Sequence, residues 1–129
     1  TSCFNGSYVV IGAIDAKYRA LGGCTSFLGP PITSELTTPD GVGRYSVFEN
    51  GSIYWSPSPL AGTASVAIGA HEVHGKIRDT YRDRGWEAGP LGYPISDELE
   101  VTGGRESHFE HGTIRFDAAT GETTVTLVP

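Results

Sequence analysis

Nine residues of this chain, Ile14, Tyr18, Gly22, Leu28, Gly29, Pro31, Ile32, Glu35 and Leu36, recur 63 positions later as Ile77, Tyr81, Gly85, Leu91, Gly92, Pro94, Ile95, Glu98 and Leu99. A two-residue shortening then resets the offset to 61: Gly43-Arg44 matches Gly104-Arg105, and Phe48-Glu49-x-Gly51-x-Ile53 matches Phe109-Glu110-x-Gly112-x-Ile114. A period this long marks tandem copies of one supersecondary unit, each too small to bury its own apolar face. Function is therefore to be sought in what the copies share, or in the groove between them.

Each copy reads in the same order. In the first, Ser7 to Ile11 is extended, and a helix over about residues 13–21 carries Ile14, Tyr18 and Leu21 on one stripe. Gly22-Gly23 supply the positive φ that stops it. The second copy repeats this over about residues 75–84, ending at Gly85. Helices this short are marginal alone and need a sheet to pack on. Next comes an elbow, Leu28-Gly29-Pro30-Pro31 or Leu91-Gly92-Tyr93-Pro94, and then a hairpin. The first hairpin is expected to turn at Asn50-Gly51 and the second at His111-Gly112. The pattern predicts an α+β fold: two tandem repeats of short helix plus antiparallel β-hairpin, packed as one compact domain. Repeat one spans about 6–56, a Ser/Pro/Gly/Ala-rich linker 57–67, repeat two about 68–117, and a closing C-terminal strand 118–129. That last strand, rich in β-branched residues, resembles the start of a third copy and is expected to pair with the sheet.

A length of 129 residues fits one domain. The net charge of −6, with no basic run to offset it, argues against nucleic acid as a partner. No apolar run is long enough for a membrane span. The opening Thr1-Ser2-Cys3 reads as a processed start or a trimmed one. A disulfide between the two cysteines, Cys3 and Cys24, would close a loop of about 22 residues and stabilise by roughly 3 kcal/mol. Two sequons, Asn5-Gly6-Ser7 and Asn50-Gly51-Ser52, are possible N-glycosylation sites and fit secretion, although Asn50 also has its turn role.

The repeated Leu-Gly-x-Pro elbow, Asp40-Gly41-Val42-Gly43-Arg44, Gly51-Ser52-Ile53-Tyr54-Trp55-Ser56 and Gly69-Ala70-His71-Glu72-Val73-His74-Gly75 together resemble the LGFP repeat family. The likeness runs from about Gly6 to Phe116. It implies a secreted module that holds proteins to cell-wall polysaccharide, similar to modules appended to bacterial cell-wall amidases and mycoloyltransferases.

Glycan binding needs an aromatic face for a pyranose ring, with carboxylates or Arg for its hydroxyls. Tyr45, Tyr54, Trp55, Trp86 and Tyr93 can supply faces, or can simply pack the copies together. On an alternating strand Tyr54 and Trp55 point to opposite sides, so at most one is core. Trp86, in the polar run Arg84-Gly85-Trp86-Glu87, is expected to be partly exposed. Glu35 and Glu98 share a slot after the elbow, and Arg44 and Arg105 share one at the hairpin start. These pair within each copy or meet a sugar. The candidate carbohydrate-binding set is Glu35, Arg44, Tyr54, Trp55, Trp86, Tyr93, Glu98 and Arg105. His71 and His74, like His108 and His111, are spaced i, i+3, but a strand at His108 turns positions three apart to opposite faces, and His71-x-x-His74 belongs to the stretch that joins one repeat to the next in the family it resembles, so no metal site is expected. No Gly-x-Ser-x-Gly, His-Glu-x-x-His or phosphate loop occurs, and neither an enzyme nor a cofactor is expected. The leading expectation is a non-catalytic, lectin-like protein for cell-wall or other extracellular glycan. The alternatives are a secreted structural or effector protein that binds another protein and, after it, a small glycoside hydrolase using Glu35 and Glu98.

Overall fold

The computed structural model describes residues 12–39, 41–59 and 67–127. The expected strand Ser7–Ile11, Cys3, Asn5 and Asp40 lie outside them, as does most of the linker, and so does the expected disulfide. The chain is α+β. Helix α1 (Gly12–Leu21) precedes an antiparallel sheet of β1 (Leu36–Thr37), β2 (Arg44–Phe48), β3 (Gly51–Pro59) and β4 (Ala67–His74). Helix α2 (Gly75–Asp83) precedes a second sheet of β5 (Leu99–Val101), β6 (Gly104–Phe109), β7 (Gly112–Asp117) and β8 (Glu122–Leu127), in the same sequential order. The unit is thus a helix with a four-stranded meander, a larger element than a hairpin. The two ends of the expected linker take part in this: β3 runs on to Pro59 and pairs with β4, which starts at Ala67, with an irregularity between Ser56 and Pro59. The joining motif around His71 and Glu72 is itself strand β4, and β8 fills the corresponding edge of the second sheet against β7.

One set of contacts builds each copy. In the first, Ile14, Tyr18, Leu28, Phe48 and Ile53 are buried together; in the second, Ile77, Tyr81, Leu91, Phe109 and Ile114 are their counterparts. The helix tyrosine reaches the elbow, Tyr18 Oη donating to the Gly29 carbonyl at 2.7 Å and Tyr81 Oη to that of Gly92 at 2.8 Å. Those glycines have φ of 75° and 76°, which a side chain would strain. The elbow in turn holds the hairpin turn: Glu49 N donates to Pro30 O and Asn50 N to Leu28 O, matched by Glu110 N to Tyr93 O and His111 N to Leu91 O.

The turn differs from the Asn-Gly reading. Phe48 pairs with Gly51 and Phe109 with Gly112, so the two-residue turns are Glu49-Asn50 and Glu110-His111. None of these four has positive φ, so neither turn is type I′. Gly51 lies in β3, where a Cβ would stand 2.6 Å from Leu28 Cδ2 and 2.8 Å from the Val73 carbonyl. Its role is close approach of the strand to the elbow and β4. Asn50 is exposed at the second turn position.

Helix α2 touches both sheets. Tyr81 packs on Phe109 of its own copy at 4.6 Å and edge-on to Tyr54 of β3 at 5.6 Å. Tyr54 and Val73 of the first sheet thereby join the second core. Polar contacts also cross between copies, among them Thr38 Oγ1 with Tyr93 Oη at 2.7 Å, Arg78 Nε to Ser52 Oγ at 3.0 Å, and Lys17 with Asp97.

Candidate functional site

Strand alternation puts Arg44 and Trp55, which are cross-strand partners, on the face that also carries Phe48 and Ile53. That face meets the start of α1. Glu35, placed by the elbow, approaches Arg44 Nη1 at 3.7 Å. Together with Gly12, Ala13 and Ile14 they line a hollow of about 280 Å³. The second copy rebuilds it: Arg105 pairs with Phe116 across β6 and β7, and Arg105 Nε donates to Glu98 Oε2 at 2.5 Å. With His74, Gly75, Lys76 and Ile77 these line a hollow of about 320 Å³. Six lining positions correspond one to one by the repeat offsets, with Ala13 replaced by Lys76 and Trp55 by Phe116.

Five of the eight candidate residues therefore fall into two equivalent hollows: Glu35, Arg44 and Trp55 in one, Glu98 and Arg105 in the other. The intra-copy Glu–Arg pairing expected from the sequence is present in both. Phe116, His74 and Lys76 were missed. Phe116 was findable, since it stands 61 positions after Trp55 and is also aromatic.

The second hollow has a charged wall behind it. His74, the last residue of β4, holds Glu72 Oε2 through Nδ1 at 2.6 Å and Glu98 Oε2 through Nε2 at 3.1 Å. Glu72 is 2% exposed, and its other oxygen accepts the Glu98 backbone N–H at 2.9 Å. Burial alone would depress the imidazole, but hydrogen bonds and charge from Glu72 and Glu98 outweigh it and raise its pKa to about 9. Burial likewise pushes Glu98 upward, yet His74 and Arg105 hold it below the usual carboxylate range. Asp97 is lowered to about 2, since hydrogen bonds from His71 and Lys17 overcome its burial.

The other three candidates lie elsewhere. Tyr54 is 3% and Tyr93 5% exposed, so both rings belong to the interior. Trp86 is half-buried, with the Arg78 guanidinium 5.1 Å from its centroid. A third hollow of about 250 Å³ is lined by Tyr45, Tyr54, Arg78, Trp86 and Glu87 among others. Among the described residues Trp86 alone, glycines aside, has positive φ, at 58°. The matching position in copy one is Gly23, φ 64°. A side chain held there costs about 1–2 kcal/mol, so the ring's contacts with Tyr54 and Tyr81 have to offset strain that Gly23 avoids.

The sequence pattern of the LGFP repeat matches residues 28–89 and again residues 91–127. No curated protein matches the chain. Among the described residues no helix is long and apolar enough to cross a membrane.

Proposed function

Since the chain belongs to the LGFP repeat family through both of its copies, we propose that it is a secreted, non-catalytic protein that binds cell-wall or other extracellular glycan. The reading treats the two helix-and-sheet units as one compact domain presenting two sugar-sized hollows. One observation carries it: the same hollow is built twice, each time from a helix start, a Glu–Arg pair and a half-buried ring. A ring wall beside paired charged groups suits a pyranose, whose C–H face stacks while its hydroxyls meet guanidinium and carboxylate. Trp55 and Phe116 are the stacking residues of this reading, and Glu35, Arg44, Glu98 and Arg105 its polar contacts. Trp86 offers a further face at the third hollow. Two equivalent sites on one chain raise retention on a repeating polymer by avidity.

A pull-down on insoluble cell-wall polysaccharide tests this. Wild type is retained, Trp55→Ala and Phe116→Ala are each retained less, and the double variant is lost to the supernatant. Retention of the double variant at the wild-type level overturns the assignment of these hollows.

A further inference from the structure

The two hollows match in position but not in charge. At the start of α1 the charged groups lining the hollow, among the described residues, are Arg44 and a Glu35 that keeps 14% of its side-chain surface in solvent, 3.7 Å from the guanidinium. At the start of α2 the carboxylates lie deeper. The side chain of Glu98, though it still lines the hollow, is only 5% exposed, with Oε2 shared between Arg105 and His74, and the side chain of Glu72 is 3% exposed behind His74. The groups that line it toward solvent are cationic: Arg105, 48% exposed, the exposed Lys76 that replaces Ala13, and the edge of His74, while the exposed Glu100, cross-strand partner of Arg105, stands beside the hollow and not in its lining. His74 carries its charge at neutral pH because Glu72 and Glu98 hold the proton on it. A cationic hollow on a chain of net charge −6 runs against the molecule's average field, so its attraction is local.

Resting on the glycan reading, we infer that the hollow lined by Lys76, Arg105 and Phe116 selects a sugar bearing an anionic group, a carboxylate, sulfate or phosphate. The hollow lined by Glu35, Arg44 and Trp55 accepts charged and uncharged sugars alike. In the Lys76 hollow, Phe116 carries the ring while Lys76 and the outer edge of Arg105 bind the anion by charge-assisted hydrogen bonds. In the Trp55 hollow, Glu35 beside Arg44 offsets the attraction of the guanidinium for an anion.

The test is an NMR titration of the full chain, read at the amides of Gly75 and Ile77 for one hollow and Gly12 and Ile14 for the other. The probes are three matched pairs: oligogalacturonate and oligogalactose, sulfated and unsulfated laminarin fragments, and phosphorylated and dephosphorylated mannan fragments. The expected result is about tenfold tighter binding of one acidic member at Gly75 and Ile77, weakened about tenfold by Lys76→Ala and restored by Lys76→Arg. Comparable shifts at Gly12 and Ile14 from both members of that pair complete the expectation. Equal binding of matched members at Gly75 overturns the inference and leaves the glycan reading standing, as does a Lys76→Ala variant that binds as wild type. Inorganic sulfate alone binding as tightly as the acidic sugar also overturns it. Silence of both hollows toward every probe removes the glycan reading along with it.

Discussion

His74 makes the stability of this fold fall with pH across the neutral range. Its ring is clamped between Glu72 and Glu98, and it titrates near 9 when folded against 6.5 in an unfolded chain. A raised pKa means that the folded state holds the proton more tightly. The contribution is therefore whole below pH 6.5 and drains away as pH climbs to about 9. At about 1.4 kcal/mol per pH unit the rise amounts to roughly 3 kcal/mol, and solvent around a side chain that is 23% exposed trims this to about 2 kcal/mol. Asp97 and Glu98 act at the other end: with lowered pKa values they stabilise above the ordinary carboxylate range, and this is lost as pH falls, through about 2 for Asp97. The assay is urea unfolding of wild type and His74→Gln at pH 6.0, 7.5 and 9.5. The wild type's advantage over the variant should shrink by about 2 kcal/mol across that series. An advantage that stays constant, or grows with pH, refutes the clamp.

Three further outcomes follow from the packing. Gly51→Ala places a Cβ against Leu28 and the Val73 carbonyl and should cost about 3 kcal/mol in chemical denaturation, whereas an unchanged midpoint would mean that β3 does not approach the elbow so closely. Ser107 Oγ is buried and, like its counterpart Ser46 Oγ, has no hydrogen-bond partner, so Ser107→Ala should be neutral or stabilising by about 1 kcal/mol; a loss of similar size would show that the hydroxyl is satisfied. A double-mutant cycle of Thr38→Val with Tyr93→Phe should return a coupling of about 1 kcal/mol across the copies, and additive effects would deny that bond.

The parts of the fold that could be read from the sequence are those whose cause is local. Ile14 and Tyr18, or Ile77 and Tyr81, declare a helix face by their spacing, and both helices fall within a residue or two of their expected bounds. The Gly-Pro elbows and alternating hairpins are equally plain. What escaped was structure fixed by partners. Strands β1 and β5 are two and three residues long and exist through pairing with β2 and β6. Strand β4 hides in Gly69-Ala70-His71-Glu72, where Glu72 is 2% exposed because His74 and the Glu98 backbone N–H hold its carboxylate. The turn was placed one residue late because Gly51 was credited with a conformational role, when its need is for space beside Leu28.

The site divides the same way. Repetition singled out the Glu–Arg slots, and strand alternation separated Trp55 from the buried Tyr54. No pattern in the chain marked Tyr93 as interior, since its burial depends on Thr38 arriving from the other copy. The cationic wall of the second hollow was hidden for a related reason. Lys76 stands only two residues after His74 in sequence, yet its significance comes from Glu98 and Glu72 lying deeper behind it.

Binding stoichiometry by isothermal titration tests the central claim most directly. Titrated with an acidic oligosaccharide captured in the NMR screen, wild type should take two ligands per chain, Trp55→Ala and Phe116→Ala one each, and the double variant none. Two ligands still bound by the double variant would place recognition somewhere other than the paired hollows.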